Sequence, residues 1–355
     1  MNSNPMYMEY VDADDERPSG RRRGWRVLGW VSIGLSVMLV AGSLTAYGVY
    51  RNAFGNITTE DTNALVGPNR PKKLNNALNI LVLGSDTRAG AGNAKYGANM
   101  TKELPRADTM ILLHLSPGGG QALGVSFPRD LMVPIPSCKL PNGRHTNRQA
   151  VGQINSAFAY GGASCTVKTI ENFTNIKIDH FVQVDFNGFK NITKAVGGVP
   201  VCIPNDVNDP QSKLRLTKGT HVISGETALA YVRNRKGLGD GSDTDRIKRQ
   251  QKFMSQLANK ALSRGVLTNP NSMLSLLNAT TESLTTDSEL NTQAMLRIAS
   301  GMQDLTSGKL RFVTVPWGAY APDPNRVALR QPEANQLFAS IRNDKTAPAP
   351  QAKKP

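Results

Sequence analysis

Two nearly continuous apolar runs, ILVLG at residues 80–84 and TMILLHL at 109–115, decide the fold, and ALGVSF follows at 122–127. Runs of this kind are typical of strands that are covered on both faces. The turn SPGGG at 116–120 separates the second run from the third and predicts a hairpin. Because strands and helices mix along the rest of the chain, we expect an α/β fold in three layers, with a central mixed sheet between helices.

The remaining elements and the domain boundaries follow from periodicity and composition. Helices are predicted at 152–160, 166–174, 186–198, 225–231, 243–263 and 331–342, with two or three more within 270–303, and strands at 180–186, 199–204 and 309–316. The folded domain is predicted at 78–343. A polar stalk at 51–77 precedes it, and a disordered Pro/Ala/Lys-rich tail at 344–355 follows it.

Residues 27–50 contain no charged side chain and are predicted to form a single transmembrane helix. A helix of that length spans about 36 Å, enough for a hydrocarbon core of about 30 Å. Four arginines lie between residues 21 and 26, whereas only Arg51 follows closely. The positive-inside rule therefore predicts a cytoplasmic tail at 1–26 and an extracytoplasmic remainder. The alternative is a cleaved signal peptide, whose apolar region is normally shorter.

The chain is strongly basic, with 42 Lys and Arg against 27 Asp and Glu. The first fifty residues hold equal numbers of each sign, so the whole excess of +15 lies in the predicted outer part. Such an excess favours an anionic partner, either lipid head groups or a phosphate-rich polymer. The outer location and the lack of a helix-turn-helix or RNA-binding signature argue against nucleic acid. The alternative is a solvated basic surface without a specific partner.

The cysteines and histidines indicate no zinc site. The three cysteines lack CxxC spacing, and none of the four histidines is spaced as a ligand pair. We expect a disulfide between Cys138 and Cys165, which lie in loop-like contexts in an oxidising compartment. Cys202 lies within the apolar strand VPVCIP and is expected to be free and buried. No GxSxG, Walker A or Cys/His pair points to a nucleophile.

Three strand ends each carry an acid and an arginine. The pairs are Asp86 and Arg88, Arg106 and Asp108, and Arg129 and Asp130. Ligand sites gather at strand ends in α/β sheets. Carboxylates from two neighbouring strands can hold a hard cation such as Mg²⁺, with Mn²⁺ as the alternative. Each pair taken alone is equally well explained as a structural salt bridge.

More arginines lie in the segment 228–254. Arg246 and Gln250 are four residues apart on a predicted helix and therefore share a face. Arg233 and Arg235 point the same way only in an extended chain, so we expect the preceding helix to end near Tyr231. Arginine binds phosphate bidentately, and arginines beside a metal suit phosphoryl transfer. A solvated basic helix face is the alternative.

At these residues the chain resembles the LytR–CpsA–Psr family of cell-wall glycopolymer ligases. The matching stretches, in family order, are NILVLGSDTR (79–88), RADTMIL (106–112), SFPRDLMVPIP (126–136), QINSAFAYGG (153–162), HFVQVDFNGF (180–189), VGGVPVCIP (196–204) and GETALAYVRNRKGLGDGSDTDRIKRQQKFM (225–254). The last stretch and the cysteine of VCIP resemble actinobacterial members. A longer loop at 89–105 departs from the family pattern.

The resemblance implies a Mg²⁺-dependent enzyme. It would move an anionic glycopolymer, such as teichoic acid, capsule or arabinogalactan, from a polyprenyl-pyrophosphate carrier to peptidoglycan at the cell membrane. It implies that Asp86 and Asp108 hold the metal. The residues implied to bind the pyrophosphate are Arg88, Arg129, Arg233, Arg235, Arg246 and Gln250, and the catalytic ones among them are Arg129, Arg233, Arg235 and Arg246.

The family also has an apolar groove for the polyprenyl tail. Candidate lining residues, most of which equally suit a plain core, are Phe158, Phe173, Phe181, Val184, Phe186 and Phe189. Two alternatives to the transferase remain: a membrane-anchored polyanion-binding or regulatory protein, and a pyrophosphatase acting on the lipid carrier.

Overall fold

The chain divides into two compact units, residues 1–52 and 53–355. The computed structural model describes residues 58–87, 104–234, 237–238, 243–261, 284–291 and 310–345, and the single positions Met38, Ser43, Gly48, Ala294, Met295 and Ile298. The predicted transmembrane segment 27–50 lies outside the described residues, apart from the first three of these single positions, which are helical. Among the described residues, no helix combines the length and the apolar character needed to cross a membrane.

A seven-stranded mixed sheet forms the centre of the second unit. Its strands in spatial order are β1 (Thr58–Glu60), β12 (Leu284–Asp287), β7 (His180–Val184), β2 (Leu78–Ser85), β3 (Ala107–Leu115), β4 (Ala122–Phe127) and β13 (Leu310–Thr314). β3 pairs antiparallel with both β2 and β4, which confirms the predicted hairpin. β7 runs parallel to β2, and β13 runs parallel to β4. The expected α/β fold with a central mixed sheet is confirmed.

Apolar packing on both faces explains the continuous apolar runs. On one face, α2 (Ile154–Thr174) and α6 (Glu333–Arg342) pack against Leu81 and Leu83 in the main core. Burying each of these leucines contributes about 1.5–3 kcal/mol. On the other face, Ile80 belongs to a smaller cluster against which the helical Ile298 packs.

A second core lies between the remaining long helices and a two-stranded ribbon. Its elements are α3 (Phe186–Ala195), β8 (Val199–Ile203), β11 (Gly219–Ile223), α4 (Gly225–Arg233) and α5 (Asp243–Ala261). The ribbon of β9 (Val207–Asp209) and β10 (Leu214–Leu216) also contributes Val207 and Leu214 to this core. The elements outside it are α1 (Thr62–Val66), the ribbon β5 (Met132–Ile135) with β6 (Gln149–Gln153), and β14 (Trp317–Tyr320) with β15 (Asp323–Leu329). Phe253 and Leu257 of α5 are buried in this core.

Helix α2 is interrupted where it meets a disulfide. Gly161 and Gly162 have non-helical backbone angles, so the two helices predicted for this region are the two halves of α2. A Cβ atom on Gly161 would lie 2.6 Å from the Cβ atom of Cys165. A glycine is therefore needed at this point for the Cys138–Cys165 disulfide, which is present as predicted.

Cys202 is free, as predicted, but the expectation that it is buried was wrong, because it is exposed. Strand β8 alternates between the second core and solvent. Val201 and Ile203 face the core, whereas Pro200 and Cys202 face outward. The alternation of the strand, rather than the apolar character of its sequence, decides the exposure of the thiol.

The fold begins earlier than the predicted start at Leu78. Thr58–Glu60, inside the predicted stalk, forms β1 and pairs in parallel with β12. Arg70 is also fixed, because its guanidinium donates to the Glu171 carboxylate of α2 at 2.7 Å. Both side chains of this ion pair are nearly buried. Residues 58–77 are therefore part of the domain.

Two expectations for the second half also need correction. Leu284–Asp287, within the region predicted to be helical, forms strand β12 of the central sheet. Asp344, the first residue of the predicted disordered tail, accepts a hydrogen bond from Ser116 at 2.5 Å and lies 3.0 Å from the His114 ring. Residues 346–355 lie outside the described residues.

Removing the disulfide with Cys138→Ala and Cys165→Ala should lower the free energy of unfolding by about 3 kcal/mol, because the bridge restricts the unfolded chain. Chemical denaturation measures this change.

In the native oxidised protein, a maleimide should label Cys202 without denaturant, and Cys202→Ser should abolish the labelling. Peptide mapping that found Cys202 bridged would contradict the assignment.

Candidate active site at one edge of the sheet

The strand directions bring three of the predicted site residues to one edge of the central sheet. β2, β4, β7 and β13 run in the same direction, so their carboxyl ends share this edge with the start of the antiparallel β3. Ligand sites form at such edges because strand ends and the loops after them converge there. Asp86 follows β2, Asp108 is the second residue of β3, and Arg129 lies just after β4.

Asp86 is held by the chain opposite to it. Its backbone N–H donates to the Arg106 carbonyl at 3.0 Å. One oxygen of its carboxylate, Oδ1, accepts a hydrogen bond from the Arg106 backbone N–H at 2.6 Å. This arrangement fixes the carboxylate at the edge, where its side chain is only partly exposed.

A β-bulge sets the direction of Asp108. Gly84 pairs with Thr109 and Ser85 pairs with Ala107, so Asp108 is the extra residue of β3. Ala107 is fully buried, whereas the Asp108 side chain is 46% exposed. Bulges commonly re-aim a side chain beside an active site. Here the bulge turns a carboxylate out of the sheet, at the edge where Asp86 follows β2.

Arg129 joins the second carboxylate to an adjacent ion-pair network. Its Nη1 atom donates to Asp108 Oδ1 at 2.9 Å, and its Nε atom donates to Asp130 Oδ2 at 3.3 Å. Asp130 also accepts from Arg326 of β15 at 3.2 Å. The alternative of a structural salt bridge therefore applies to Asp130. Asp108 and Arg129 face each other at the edge. Arg326 was missed because β15 was not predicted.

Arg233 lies at the end of α4, over the start of α3. The helix continues to Arg233, two residues beyond the predicted end at Tyr231, and Asn234 starts the extended chain. The guanidinium carbon of Arg233 lies 4.6 Å from the centre of the Phe186 ring. Phe186 lies two residues after the end of β7, so this cation–π contact brings Arg233 to the same edge. Arg88 and Arg235 lie outside the described residues.

Helix α5 presents Arg246 and Gln250 as the shared face predicted. Arg246 is 7% exposed. Gln250, predicted to bind pyrophosphate, donates from Nε2 to the Val232 carbonyl at 3.0 Å and so supports the end of α4. The next residue of α5, Gln251, donates to Thr314 Oγ1 at the end of β13 at 2.9 Å. The helix is thus fastened both to α4 and to the site edge.

Arg249 is a positioning residue that the sequence reasoning missed. It donates from Nη1 to the Leu238 carbonyl at 2.9 Å and from Nη2 to the Asn234 carbonyl. Its guanidinium lies 5.9 Å from the centre of the Tyr231 ring. Burial raises the pKa of Tyr231, so the ring is neutral and the contact is a cation–π interaction. The repeated arginines of RIKRQQ were the only sequence signal for this role.

The candidate groove residues divide between core and site. Phe158 and Phe181 are buried in the main core, and Phe173 packs against that core. Phe189 packs against the second core. Phe186 contacts a predicted site residue, Arg233.

Comparison with known proteins shows to which family the chain belongs. The model of the LytR_cpsA_psr family matches residues 49–342. The chain belongs to this family. Among family relatives, LcpA of Corynebacterium glutamicum, a cell wall biosynthesis protein, is 30% identical over 311 residues, which cover 81% of this chain and 56% of LcpA. The chain therefore spans little more than half the length of that relative.

Two further matches cover nearly the whole of the compared protein. The polyisoprenyl-teichoic acid–peptidoglycan teichoic acid transferase TagU of Bacillus anthracis is 28% identical over 324 residues, covering 88% of this chain and 96% of TagU. The structure of a LytR-Csp2A-Psr enzyme from Actinomyces oris matches with a TM-score of 0.59 at 21% identity, covering 81% of this chain and 96% of that one. At this identity the structure supports the shared fold.

Replacing Gln250 with Ala should lower the free energy of unfolding by about 1 kcal/mol, because the Val232 carbonyl loses its hydrogen-bond donor. The measurement is chemical denaturation of the purified domain. Lys252→Ala, at an exposed position of the same helix, is the matched control and should change the stability little. Equal stability of Gln250→Ala and the wild type would show that this hydrogen bond does not hold α4.

Proposed function

We propose that this protein is a Mg²⁺-dependent phosphotransferase that moves an anionic glycopolymer from a polyprenyl-pyrophosphate carrier to peptidoglycan. The observation that carries the proposal is the group formed by Asp86, Asp108 and Arg129 at one sheet edge, with Arg129 only 2.9 Å from Asp108. Family membership adds support, since TagU is named as a transferase of teichoic acid to peptidoglycan.

The two aspartates fit a divalent cation. They come from neighbouring strands, and each supplies hard oxygen atoms, one of which already accepts a protein hydrogen bond. Mg²⁺ commonly takes one or two carboxylates and completes its shell with water and phosphate oxygens. When bound, the ion would offset negative charge on the phosphate oxygens. Mn²⁺ prefers the same ligands.

The arginines would do the remaining work. Asp108 and Asp130 orient the Arg129 guanidinium, whose fork suits a pyrophosphate oxygen pair. A peptidoglycan hydroxyl would attack the phosphorus that carries the glycopolymer, and the bond to the lipid phosphate would break. Arg129, Arg233, Arg235 and Arg246 would stabilise the charge that builds on the leaving lipid phosphate. Arg88 would contribute to binding.

We place the folded domain outside the cell membrane, with residues 27–50 as its anchor and the N-terminus in the cytoplasm. The Cys138–Cys165 disulfide supports this location, since disulfides persist mainly in oxidising compartments. The excess of arginines before residue 27 supports the orientation. Peptidoglycan and the lipid-linked glycopolymer would then both be accessible.

Asp86→Ala and Asp108→Ala should each abolish Mg²⁺-dependent turnover without unfolding the domain, because both carboxylates lie at the edge rather than in a core. Turnover of a polyprenyl-pyrophosphate glycan in detergent, with and without EDTA, measures the effect, and circular dichroism measures folding. Asp206→Asn, an exposed acid elsewhere, is the control. Normal turnover in either alanine variant would refute the metal role.

Arg129→Lys, Arg233→Lys, Arg235→Lys and Arg246→Lys should each reduce turnover about 100- to 1000-fold, since lysine keeps the charge but loses the bidentate fork. Lys248→Ala, at an exposed position of α5, should leave turnover nearly unchanged. If the arginine changes were silent and Lys248→Ala were harmful, a polyanion-binding protein would explain the charge better. Release of lipid phosphate with no transfer to peptidoglycan would identify a pyrophosphatase.

A further inference from the structure

The loop between β5 and β6 concentrates positive charge. We call residues 136–148 the basic loop. Within 131–170 the chain carries four basic side chains and no acidic one. Lys139, Arg144 and Arg148 belong to the basic loop, and all three are exposed. This bias is local, because the chain as a whole has about two acids for every three basic residues.

In the part of the chain that the structure describes, no carboxylate forms an ion pair with any of these three side chains. The lysines and arginines seen in ion pairs among the described residues include Arg70, Lys73, Arg129, Lys190, Arg326 and Arg330. None of the three basic-loop side chains is among them. Like charges held close together without counter-ions create a positive potential that attracts anions.

The basic loop is also held in a fixed shape. The disulfide ties Cys138 to α2, and the Thr146 backbone N–H donates to the Cys138 carbonyl at 2.8 Å. Nearer the tip, the Leu140 N–H donates to the Arg144 carbonyl at 2.8 Å. Lys168 of α2 donates to the Ser137 carbonyl at 2.9 Å. A surface that is already ordered loses less entropy when it binds a ligand.

The basic loop is connected directly to the candidate active site. β5 starts at Met132, two residues after Asp130, and pairs with Gln153 at the end of β6. Asn155, just beyond β6, donates from its backbone N–H to the Arg129 carbonyl at 3.3 Å. The ribbon therefore has its base beside Arg129 and its tip at the basic loop.

We propose that the basic loop binds the anionic chain of the glycopolymer, away from the pyrophosphate where the reaction occurs. This inference rests on the proposed function. The ligand of the basic loop is a glycan with repeating phosphate or carboxylate groups. Tyr160 is 45% exposed and directly precedes Gly161, which packs against the disulfide. An exposed tyrosine at this point of α2 offers an aromatic face with a polar hydroxyl, which suits the sugar rings of such a glycan.

The composition of the tip favours a glycan over a lipid surface. Membrane-surface segments combine basic residues with aromatic or long apolar side chains that enter the lipid. The exposed tip is Pro141, Asn142 and Gly143. None of these residues can insert a large apolar group.

The test compares two triple variants of the full-length protein in detergent that remove the same charge. K139Q/R144Q/R148Q neutralises the basic loop, and K213Q/R215Q/K218Q neutralises exposed residues on and beside the β9–β10 ribbon. The probe is synthetic poly(glycerol phosphate), with neutral dextran as the reference. The basic-loop variant should bind the probe about tenfold or more weakly, and the slope of log K against log salt should become shallower by about two. The control variant should bind nearly as the wild type does.

Equal weakening in both variants would show diffuse attraction and overturn the proposal, as would unchanged binding in the basic-loop variant. If that variant lost binding to phosphatidylglycerol vesicles but not to the probe, the surface would be a membrane contact. Thermal unfolding and disulfide mapping check that each variant folds.

A second measurement separates this inference from the proposed function. With a lipid pyrophosphate donor that carries a single neutral sugar, the basic-loop variant should turn over as the wild type does. With a long anionic donor its KM should rise while kcat holds. If the protein bound the probe through the basic loop but never transferred the glycopolymer, only the proposed transferase function would be refuted. If the basic-loop variant had a normal KM for the long anionic donor, only the role of the basic loop would be refuted.

Discussion

The antiparallel pairing of β3 with both of its neighbours is the constraint on which the site depends. β3 lies between β2 and β4 and runs opposite to both. The carboxyl ends of β2 and β4 therefore lie at the same edge as the amino end of β3. This pairing brings Asp86, Asp108 and Arg129, which are separated by 22 and 21 positions in the sequence, to the same edge. Apolar side chains on these strands are buried in clusters on both faces of the sheet. The edge that carries the charges is therefore formed by strands that are buried on both faces.

A second set of contacts fixes the arginines of the other half of the chain. Arg249 and Gln250 of α5 bind backbone carbonyls at and beyond the end of α4. Hydrogen bonds from charged donors are stronger than those from neutral ones, so Arg249 contributes much of this fastening. The end of α4 carries Arg233 over Phe186. Arg249 and Gln250 thus hold the end of α4 in place, and with it Arg233.

The central strands are buried on both faces, so their sequences are continuously apolar. This pattern predicted the strands and their hairpin. It missed β1 and β12, which read TTE and LTTD and occupy one side of the sheet. Such short polar strands are defined by pairing with distant partners, and composition carries no signal for that. The β-bulge at Asp108 was equally invisible, since it depends on the register between two strands.

The helix boundary at Arg233 shows a related limit. The requirement that Arg233 and Arg235 point the same way led to a helix end near Tyr231, but α4 continues to Arg233. Its end is set by Gln250 and Arg249 from α5 rather than by a local stop signal. Tertiary hydrogen bonds overrode the local interpretation. The pairing of Cys138 with Cys165 was predictable because it needed only compartment and context.

The exposure of the ion pairs separates those that can exchange partners from those that cannot. Arg70 and Glu171 are 8% and 3% exposed, and breaking that pair would leave a buried charge at a cost of about 3–5 kcal/mol. Arg129 and Asp108 are 22% and 46% exposed, where a pair contributes about 0–1 kcal/mol. Under the proposed function, a cation would draw Asp108 and a pyrophosphate would draw Arg129. Because their own contact is weak, both groups can be held in place before the substrate binds and released to it at little cost.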